Sequence, residues 1–386
     1  MGASRLVRNP RRGRLPAHAI DPAVREFHQG LPGYTPTPLR QAPRVAAALG
    51  VGSVLVKDES YRLDLPSFKV LGASWATYRL LCQRLGRASQ PIMSMTALAG
   101  LLASDRPLEL VAATDGNHGQ AVARVAGRLG LTAHILVPAD MTSTRIAALQ
   151  NEGARVSVVE GSYDNTVRAS AALADDRHLV VSDTSWPGYS DVPGWVIDGY
   201  ATIALEIEEQ LARARLPCPS MIALQIGVGA FAAAMVRHFT GRTQIVGVEP
   251  TAADCVLASV QAGAPTTIPG PQDSIMAGLN CGTPSLVAWP TVSAGIDSFA
   301  AVDDRDAEAA MRLLAADGIV AGESGAAGLA GLLAFRDELE LSSRDQVLVV
   351  ATEGATDPTA YDRIIDHPAH RAAVAATAHS IMEEST

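Results

Sequence analysis

The sequence has few aromatic residues, few charged residues and few cysteines. Among its 386 residues, 4% are aromatic and 18% are charged, whereas 48% are hydrophobic. This composition is typical of a folded enzyme with a core of alanine, valine and leucine, and it excludes a disordered chain. The cysteines form no CxxC pair, which argues against a zinc site and a secreted disulfide framework; they are Cys82, Cys218, Cys255 and Cys281.

The chain also lacks long hydrophobic runs and an excess of positive charge. Its longest apolar stretches are residues 94–104 and 221–228, and both fall short of the about 20 residues that cross a bilayer. Acidic residues number 40 and basic residues 31, so the net charge is −9, and we expect neither a nucleic acid nor a membrane as partner. Residues 1–20 contain arginines but no apolar signal segment, so we expect a flexible basic tail and a cytoplasmic protein.

The remaining chain alternates short apolar strands with amphipathic, alanine-rich helices. Near-continuous apolar strands in alternation with helices predict parallel sheets that are covered on both faces. We therefore predict an α/β protein with two doubly wound, mostly parallel-sheet domains. The predicted strands cover residues 53–57, 108–112, 132–137, 155–159, 178–182, 221–226, 244–248 and 346–350, and the predicted helices cover residues 120–129, 143–152, 163–174, 200–214 and 231–239.

Two segments interrupt this alternation. Residues 83–107 and 184–199 are rich in glycine, proline and serine and lack clear periodicity. They predict that a small domain, residues 87–192, is inserted into a large domain formed by residues 1–86 and 193–386. Clefts between domains favour ligand binding, so we expect the active site there. The segment after Asp357 predicts one or two terminal helices.

The first chemical motif is Lys69 in the segment PSFKVLGASWA, where an apolar helical run begins. Burial among apolar neighbours lowers the pKa of a lysine and makes its amine a nucleophile that forms Schiff bases. The alternative is a solvated lysine at the start of a helix. This segment alone therefore leaves both interpretations open.

The second motif is TDGNHG, residues 114–119, between an apolar strand and a helix. Gly116 permits a tight turn, and the backbone donors at the start of the helix bind an anion such as a carboxylate. On this interpretation Thr114, Asp115, Gly116 and His118 contact the substrate, and Asn117 supplies a neutral polar contact. The alternative is an ordinary N-cap turn in which Asp or Asn side chains satisfy helix donors.

The third motif, GVGAF, directly follows an apolar strand and opens a helix. Backbone amides at such a turn bind phosphate, with the helix dipole behind them; the residues are Gly227, Val228, Gly229, Ala230 and Phe231. Together with Ala232 the turn also matches a relaxed dinucleotide fingerprint, and Glu249 lies twenty residues after Gly229. A nicotinamide-dependent enzyme therefore stays open as an alternative.

In their order along the chain, SFK, DGNHG and GVGAF resemble the fold type II pyridoxal-phosphate enzymes, over residues 32–358. The resemblance implies a pyridoxal 5'-phosphate (PLP) cofactor that Lys69 binds as a Schiff base. It further implies that Asn117 contacts the phenolic oxygen of the cofactor and that residues 227–231 bind its phosphate. Thr352, in the segment ATEGATDP, is the candidate partner of the pyridine nitrogen.

Within this family, the segments PSFKVLGA, ATDGNHG, DTSWPGY, IMAGLNCGTPS and TEGATDP resemble diaminopropionate ammonia-lyases. Dehydratases of the family typically carry arginine and serine where this chain has Leu71 and Asp115. The resemblance implies α,β-elimination of D- or L-2,3-diaminopropionate through aminoacrylate to pyruvate and ammonia, with Asp115 and Asp183 as the acid–base carboxylates. A serine or threonine dehydratase or a β-replacement enzyme on the same scaffold is the alternative. We expect a homodimer without a metal ion.

Some of these residues have a structural alternative. Asp183 also fits a cap in the turn formed by residues 182–185. The resemblance leaves a disulfide between Cys255 and Cys281 open, but a reducing cytosol favours two buried thiols. Tyr163 and His118 lie in segments that can line the site, and we assign neither of them a chemical step.

Overall fold

The structure is a computed structural model that describes residues 3–15 and 21–366. Within these ranges the chain forms eleven strands and fourteen α-helices. The strands are β1 (Arg5–Arg8), β2 (Leu39–Gln41), β3 (Ser53–Asp58), β4 (Glu109–Ala113), β5 (Thr132–Pro138), β6 (Arg155–Val159), β7 (His178–Val180), β8 (Met221–Gln225), β9 (Gln244–Pro250), β10 (Ser298–Val302) and β11 (Gln346–Ala351). The helices are α1 (Pro22–Gln29), α2 (Pro43–Leu49), α3 (Lys69–Arg84), α4 (Met95–Leu101), α5 (Asn117–Leu129), α6 (Ser143–Asn151), α7 (Tyr163–Ala171), α8 (Asp191–Ala214), α9 (Ala230–Phe239), α10 (Cys255–Ala262), α11 (Trp289–Gly295), α12 (Asp304–Ala316), α13 (Glu323–Ala334) and α14 (Pro358–Ile365).

The described strands form two sheets. The larger sheet has the order β1-β10-β9-β8-β11-β3-β2, and its inner strands run parallel, whereas β1 and β2 pair antiparallel with their neighbours. The smaller sheet has the order β6-β5-β4-β7 and is parallel throughout. Parallel neighbours need crossover connections, and helices provide them here. The predicted α/β class with mostly parallel sheets is confirmed.

The central strands are buried because they are apolar along nearly their whole length. Every residue of β8 and β10 is buried, and so is every residue of β11 after Gln346. Helix α3 packs against α5, which covers β4 and β5 of the smaller sheet. The same helix packs against α8, which in turn contacts α9 next to β8. Lys69, the first residue of α3, therefore lies between the two sheets.

The strands of the smaller sheet all come from residues 109–180, between β3 and β8 of the larger sheet. This order along the chain is expected when a small domain is inserted into a large one. The predicted boundary between residues 192 and 193 falls in the first turn of α8, which begins at Asp191. The boundaries of the two predicted domains stay a prediction.

The predicted flexible tail needs correction. Strand β1 lies within it and pairs with β10 at the edge of the larger sheet. Asn9 Nδ2 then donates to the main-chain oxygens of Ser293 at 2.9 Å and Ile296 at 2.6 Å. The sequence does not predict this strand, because it is short, begins and ends with arginine, and pairs with a segment that is distant along the chain. Residues 1, 2 and 16–20 of the predicted tail lie outside the described residues.

The two segments predicted to be irregular contain helical residues. Helix α4 begins after Ser94, whose side chain accepts a hydrogen bond from the backbone N–H of Ala97 at 3.2 Å. Helix α8 begins within the second segment, with Pro193 in its first turn, where a missing backbone donor costs nothing. Helix α14 confirms a helix after Asp357, and residues 367–386 lie outside the described residues. Across residues 3–15 and 21–366 we find no helix whose length and hydropathy suit a membrane span.

Candidate active site

A cavity lies where the carboxyl ends of strands from both sheets meet. Loops that follow parallel strands converge at one edge of a sheet, and β4, β7, β8 and β11 all contribute such loops. The TDGNHG and GVGAF motifs follow β4 and β8 and therefore meet there, and Lys69 at the start of α3 lines the same cavity. The lining residues are Phe68, Lys69, Asp115, Asn117, Tyr163, Asp183, Gln225, residues 227–232, Gly278, Leu279, Cys281, Ser324, Thr352 and Glu353.

Lys69 forms an ion pair with Asp183 in this cavity. Lys69 Nζ donates to Asp183 Oδ2 at 2.6 Å, and the hydroxyl of Tyr163 donates to Asp183 Oδ1 at 3.2 Å. Burial disfavours the charged amine, but the negative charge of Asp183 outweighs burial and raises the pKa of Lys69. This contradicts the interpretation in which burial lowers the pKa of Lys69, because a carboxylate from a distant part of the chain stabilises the ammonium form.

The two aspartates of the cavity differ in acid strength. Burial raises the pKa of Asp115 to about 6, although the positive charges of Lys69 and Arg145 oppose the shift. Burial also acts on Asp183, but the charge of Lys69 and its hydrogen bond outweigh burial and lower the pKa of Asp183. Near neutral pH, Asp183 is thus ionised while Asp115 exchanges its proton readily. Two carboxyls with separated pKa values are suited to acid–base chemistry.

The loop between β8 and α9 forms a cradle of backbone groups. Gly229 has a φ of 99°, which residues with an L side chain rarely adopt, and α9 begins without a side-chain cap. A Cβ atom on Gly227 would lie 3.1 Å from the carbonyl oxygen of Gly278 and 3.3 Å from Cys281 Sγ. Uncapped amides at the start of a helix, with the helix dipole behind them, fit a phosphate group.

Two polar residues of the cavity follow β11. Thr352 Oγ1 accepts a hydrogen bond from Gln225 Nε2 at 2.6 Å, so the hydroxyl hydrogen of Thr352 is left to donate to a ring nitrogen. Glu353 accepts a hydrogen bond from the side-chain amide of Asn117 and another, at 3.1 Å, from the backbone N–H of Ser324. Neither Glu353 nor Ser324 was predicted from the sequence. A charged residue immediately after the apolar run VLVVAT was the available signal for Glu353.

The predicted substrate-binding residues do not all reach the cavity. Thr114 Oγ1 accepts the backbone N–H of Gly116 at 2.9 Å, as in an ordinary capping turn. His118 is 1% exposed, and its Nε2 lies 2.8 Å from a main-chain oxygen just after β7. Gly116 lines an adjoining cavity together with Arg145. Thr114 and His118 line neither of these two cavities, so their contact with substrate stays a prediction.

Glu249 does not serve as the acidic partner of a dinucleotide site. Its two carboxylate oxygens accept the backbone N–H groups of Val256 and Leu257, each at 2.8 Å. Its side chain is fully buried, and burial raises its pKa well above the ordinary value. Glu249 therefore caps α10 from a fully buried position, where a ribose hydroxyl cannot reach it.

Cys255 and Cys281 are free thiols, and both are buried. Burial raises the pKa of each thiol well above its ordinary value. The structure therefore agrees with two buried thiols and not with a disulfide.

A comparison with protein families defines the class to which the chain belongs. Residues 31–353 match the family model described as pyridoxal-phosphate dependent enzyme. The chain therefore belongs to the pyridoxal-phosphate dependent enzymes. The predicted PLP cofactor and the predicted enzymatic class are confirmed.

Within this family the chain is similar to diaminopropionate ammonia-lyases. The Salmonella typhimurium enzyme is 35% identical over 368 residues, which cover 89% of this chain and 91% of that enzyme. The Escherichia coli K12 enzyme is 35% identical over 370 residues, 91% of this chain and 92% of that enzyme. The crystal structure of the Escherichia coli enzyme in complex with D-serine has a TM-score of 0.86 at 33% identity, covering 94% of this chain and 97% of that chain. The resemblance predicted from the sequence is confirmed.

Proposed function

We propose that the protein is a carbon–nitrogen lyase that uses PLP to convert D- or L-2,3-diaminopropionate into pyruvate and ammonia. The observation that carries this proposal is the presence of Asp115 and Asp183 in one cavity with Lys69. One carboxyl has a pKa of about 6, and the pKa of the other is lowered by the lysine. The similarity to diaminopropionate ammonia-lyases over 89% of the chain supports the same reaction.

The residues of the cavity fit the cofactor. Lys69 is one of two lysines in the chain and is the one that lines the cavity, so it would bind PLP covalently. Residues 227–231 would hold the phosphate, Asn117 would donate to the phenolic oxygen, and Thr352 would donate to the pyridine nitrogen. When bound, PLP supplies the conjugated system that stabilises negative charge at the α-carbon of the substrate.

Asp115 and Asp183 transfer protons for different enantiomers. The α-hydrogens of the two enantiomers point to opposite sides of a substrate that is held in one plane, and a base at hydrogen-bond distance reaches one side only. Asp115 follows β4 and Asp183 follows β7, so the two carboxyls approach the substrate from different loops. We assign Asp115 to the D enantiomer and Asp183 to the L enantiomer. Their negative charge also attracts the β-ammonium group, which must leave in protonated form.

We further propose that the protein is a cytoplasmic homodimer and that each chain has a small domain inserted into a large one. The insertion of residues 87–192 between 1–86 and 193–386 is supported by the origin of the smaller sheet from one continuous stretch. A homodimer is supported by the resemblance to the family. A cytoplasmic location is supported by the free cysteines.

The test combines an absorption spectrum of the purified protein with an assay for pyruvate. Substrates are D- and L-diaminopropionate, serine and threonine, and the control is Lys69→Ala, which keeps the cavity but lacks the amine. We expect a cofactor band in the wild type and pyruvate from diaminopropionate far faster than from serine. Faster turnover of serine or threonine would instead establish the dehydratase alternative.

A further inference from the structure

Glu353 connects the two halves of the active site. It follows β11 of the larger sheet and is 3% exposed. Its Oε1 accepts the backbone N–H of Ser324, in the first turn of α13, at 3.1 Å. Its Oε2 accepts a hydrogen bond from Nδ2 of Asn117, the first residue of α5, which packs on the smaller sheet. One carboxylate therefore bridges groups that are carried by different sheets.

Glycines pack closely around Glu353 and Ser324. A Cβ atom on Gly322 would lie 3.2 Å from Oε1 of Glu353, and one on Gly325 would lie 2.6 Å from the main-chain oxygen of Glu353. A Cβ atom on Gly278 would lie 3.0 Å from Oγ of Ser324. An added side chain at any of these positions would crowd Glu353 or Ser324. The glycines therefore leave a space that the glutamate side chain fills.

The chemistry of the two side chains determines how Asn117 is oriented. A carboxylate accepts hydrogen bonds and donates none, so the atom of Asn117 that faces Glu353 must be the amide nitrogen. That nitrogen carries two hydrogens, and the contact with Glu353 uses one of them. The second remains for an acceptor in the cavity, which Asn117 also lines. A flipped amide would present its oxygen to that acceptor and repel it.

We infer that Glu353 is a positioning residue that fixes the amide of Asn117 with its nitrogen toward the phenolic oxygen of PLP. The inference rests on the proposed placement of the cofactor. Glu353 acts through Asn117, and its contribution to cofactor binding depends on that side chain. Glutamine has nearly the same shape but only one accepting oxygen, so it cannot accept hydrogen bonds from both Ser324 and Asn117 in the orientation that the carboxylate allows.

A double-mutant cycle tests this dependence. Apoprotein of the wild type, Glu353→Gln, Asn117→Ala and the double variant is titrated with PLP, and both the dissociation constant and the absorption maximum of the bound cofactor are measured. We expect Glu353→Gln to weaken PLP binding about tenfold and to shift the absorption maximum. In the Asn117→Ala background the same change should weaken binding by less than about twofold.

Glu323→Gln is the matched control. Glu323 is also buried and lies next to Ser324 on α13, but it does not line the cavity. We expect its replacement to leave the PLP dissociation constant within about twofold of the wild type. If Glu353→Gln does not fold, Glu353→Asp, which withdraws the carboxylate from Asn117, goes through the same cycle with the same expected outcome.

Two results would overturn the inference. An equal loss of PLP affinity in both backgrounds would show that Glu353 acts through contacts other than Asn117. An unchanged dissociation constant and spectrum in Glu353→Gln would show that it has no positioning role. Neither readout depends on which amino acid the enzyme consumes, so a failed lyase assay and a failed cycle are distinguishable.

Discussion

Replacing Asp115 with asparagine tests whether the two aspartates serve different enantiomers. The amide keeps the shape of the side chain and removes its ability to take a proton. Loss of a general base costs about 100- to 10,000-fold in rate. We therefore expect Asp115→Asn to lower kcat for D-diaminopropionate by that factor and to leave the L enantiomer within about tenfold of the wild type. Asp183→Asn is the matched control, and we expect it to lower kcat for the L enantiomer and to leave the D enantiomer within about tenfold of the wild type.

The pH dependence of the wild type is a second test of whether Asp115 serves the D enantiomer and Asp183 the L enantiomer. A base must be ionised to act, and the pKa of Asp115 is raised to about 6. Turnover of the D enantiomer should therefore rise about tenfold from about pH 5 to about pH 7 and then level off. The pKa of Asp183 is lowered by Lys69, so this carboxylate stays ionised over that range. Turnover of the L enantiomer should lack the rise.

The assay follows pyruvate release from each enantiomer separately at saturating substrate, with bound PLP measured in every variant. Equal losses for both enantiomers in each variant would refute the assignment. That result would mean that one base, such as Lys69, serves both enantiomers and that the carboxylates only bind the β-ammonium group. A rise with the same midpoint for both enantiomers would likewise contradict separate bases.

Three further predictions concern the cofactor and the core. Borohydride reduction followed by peptide mapping should place the pyridoxyl group on Lys69, because the only other lysine, Lys57, is fully buried and donates to Glu206 at 2.7 Å. Gly229→Val should weaken PLP retention at least about tenfold, since valine rarely adopts a positive φ. Glu206→Gln should lower the free energy of unfolding by about 3–5 kcal/mol in urea denaturation, because Lys57 and Arg62 then lose the buried carboxylate with which they pair.

Each of these predictions has a control variant or a result that would contradict it. Gly241 has a φ of 76° and no neighbour within 4 Å of an added Cβ, so Gly241→Val introduces similar backbone strain outside the cavity and should retain PLP. Glu209 lies on the same helix as Glu206 and pairs with Arg25 at 2.6 Å, but it is 45% exposed. Its replacement by glutamine should cost about 0–1 kcal/mol. Equal destabilisation by the two glutamate variants, or a pyridoxyl label on Lys57, would contradict the respective prediction.

Local patterns were sufficient for most of the strands. Short apolar runs in the sequence predict the buried strands, and such a run alone is sufficient to predict β8 and β11. The short edge strands β1 and β2 have no such run, and their residues are half-buried or exposed. Strand β10 is apolar but was not recognised. Helix α4 was missed because its segment also contains the glycines and prolines of a loop.

The chain itself determines where the three motifs lie, because each adjoins an apolar run. TDGNHG and GVGAF follow strands, whereas Lys69 begins an apolar helix. Parallel pairing then brings Lys69, Asn117 and residues 227–231 to one cavity, which the order of motifs was able to predict. The pKa values and the side-chain orientations of those groups depend on contacts between distant segments. Asp183 raises the pKa of Lys69, although its apolar neighbours predicted the reverse, and Glu353 reaches Asn117 from the other sheet. Charge interactions and hydrogen bonds act over a few ångströms in space, so only the folded chain decides which residues experience them.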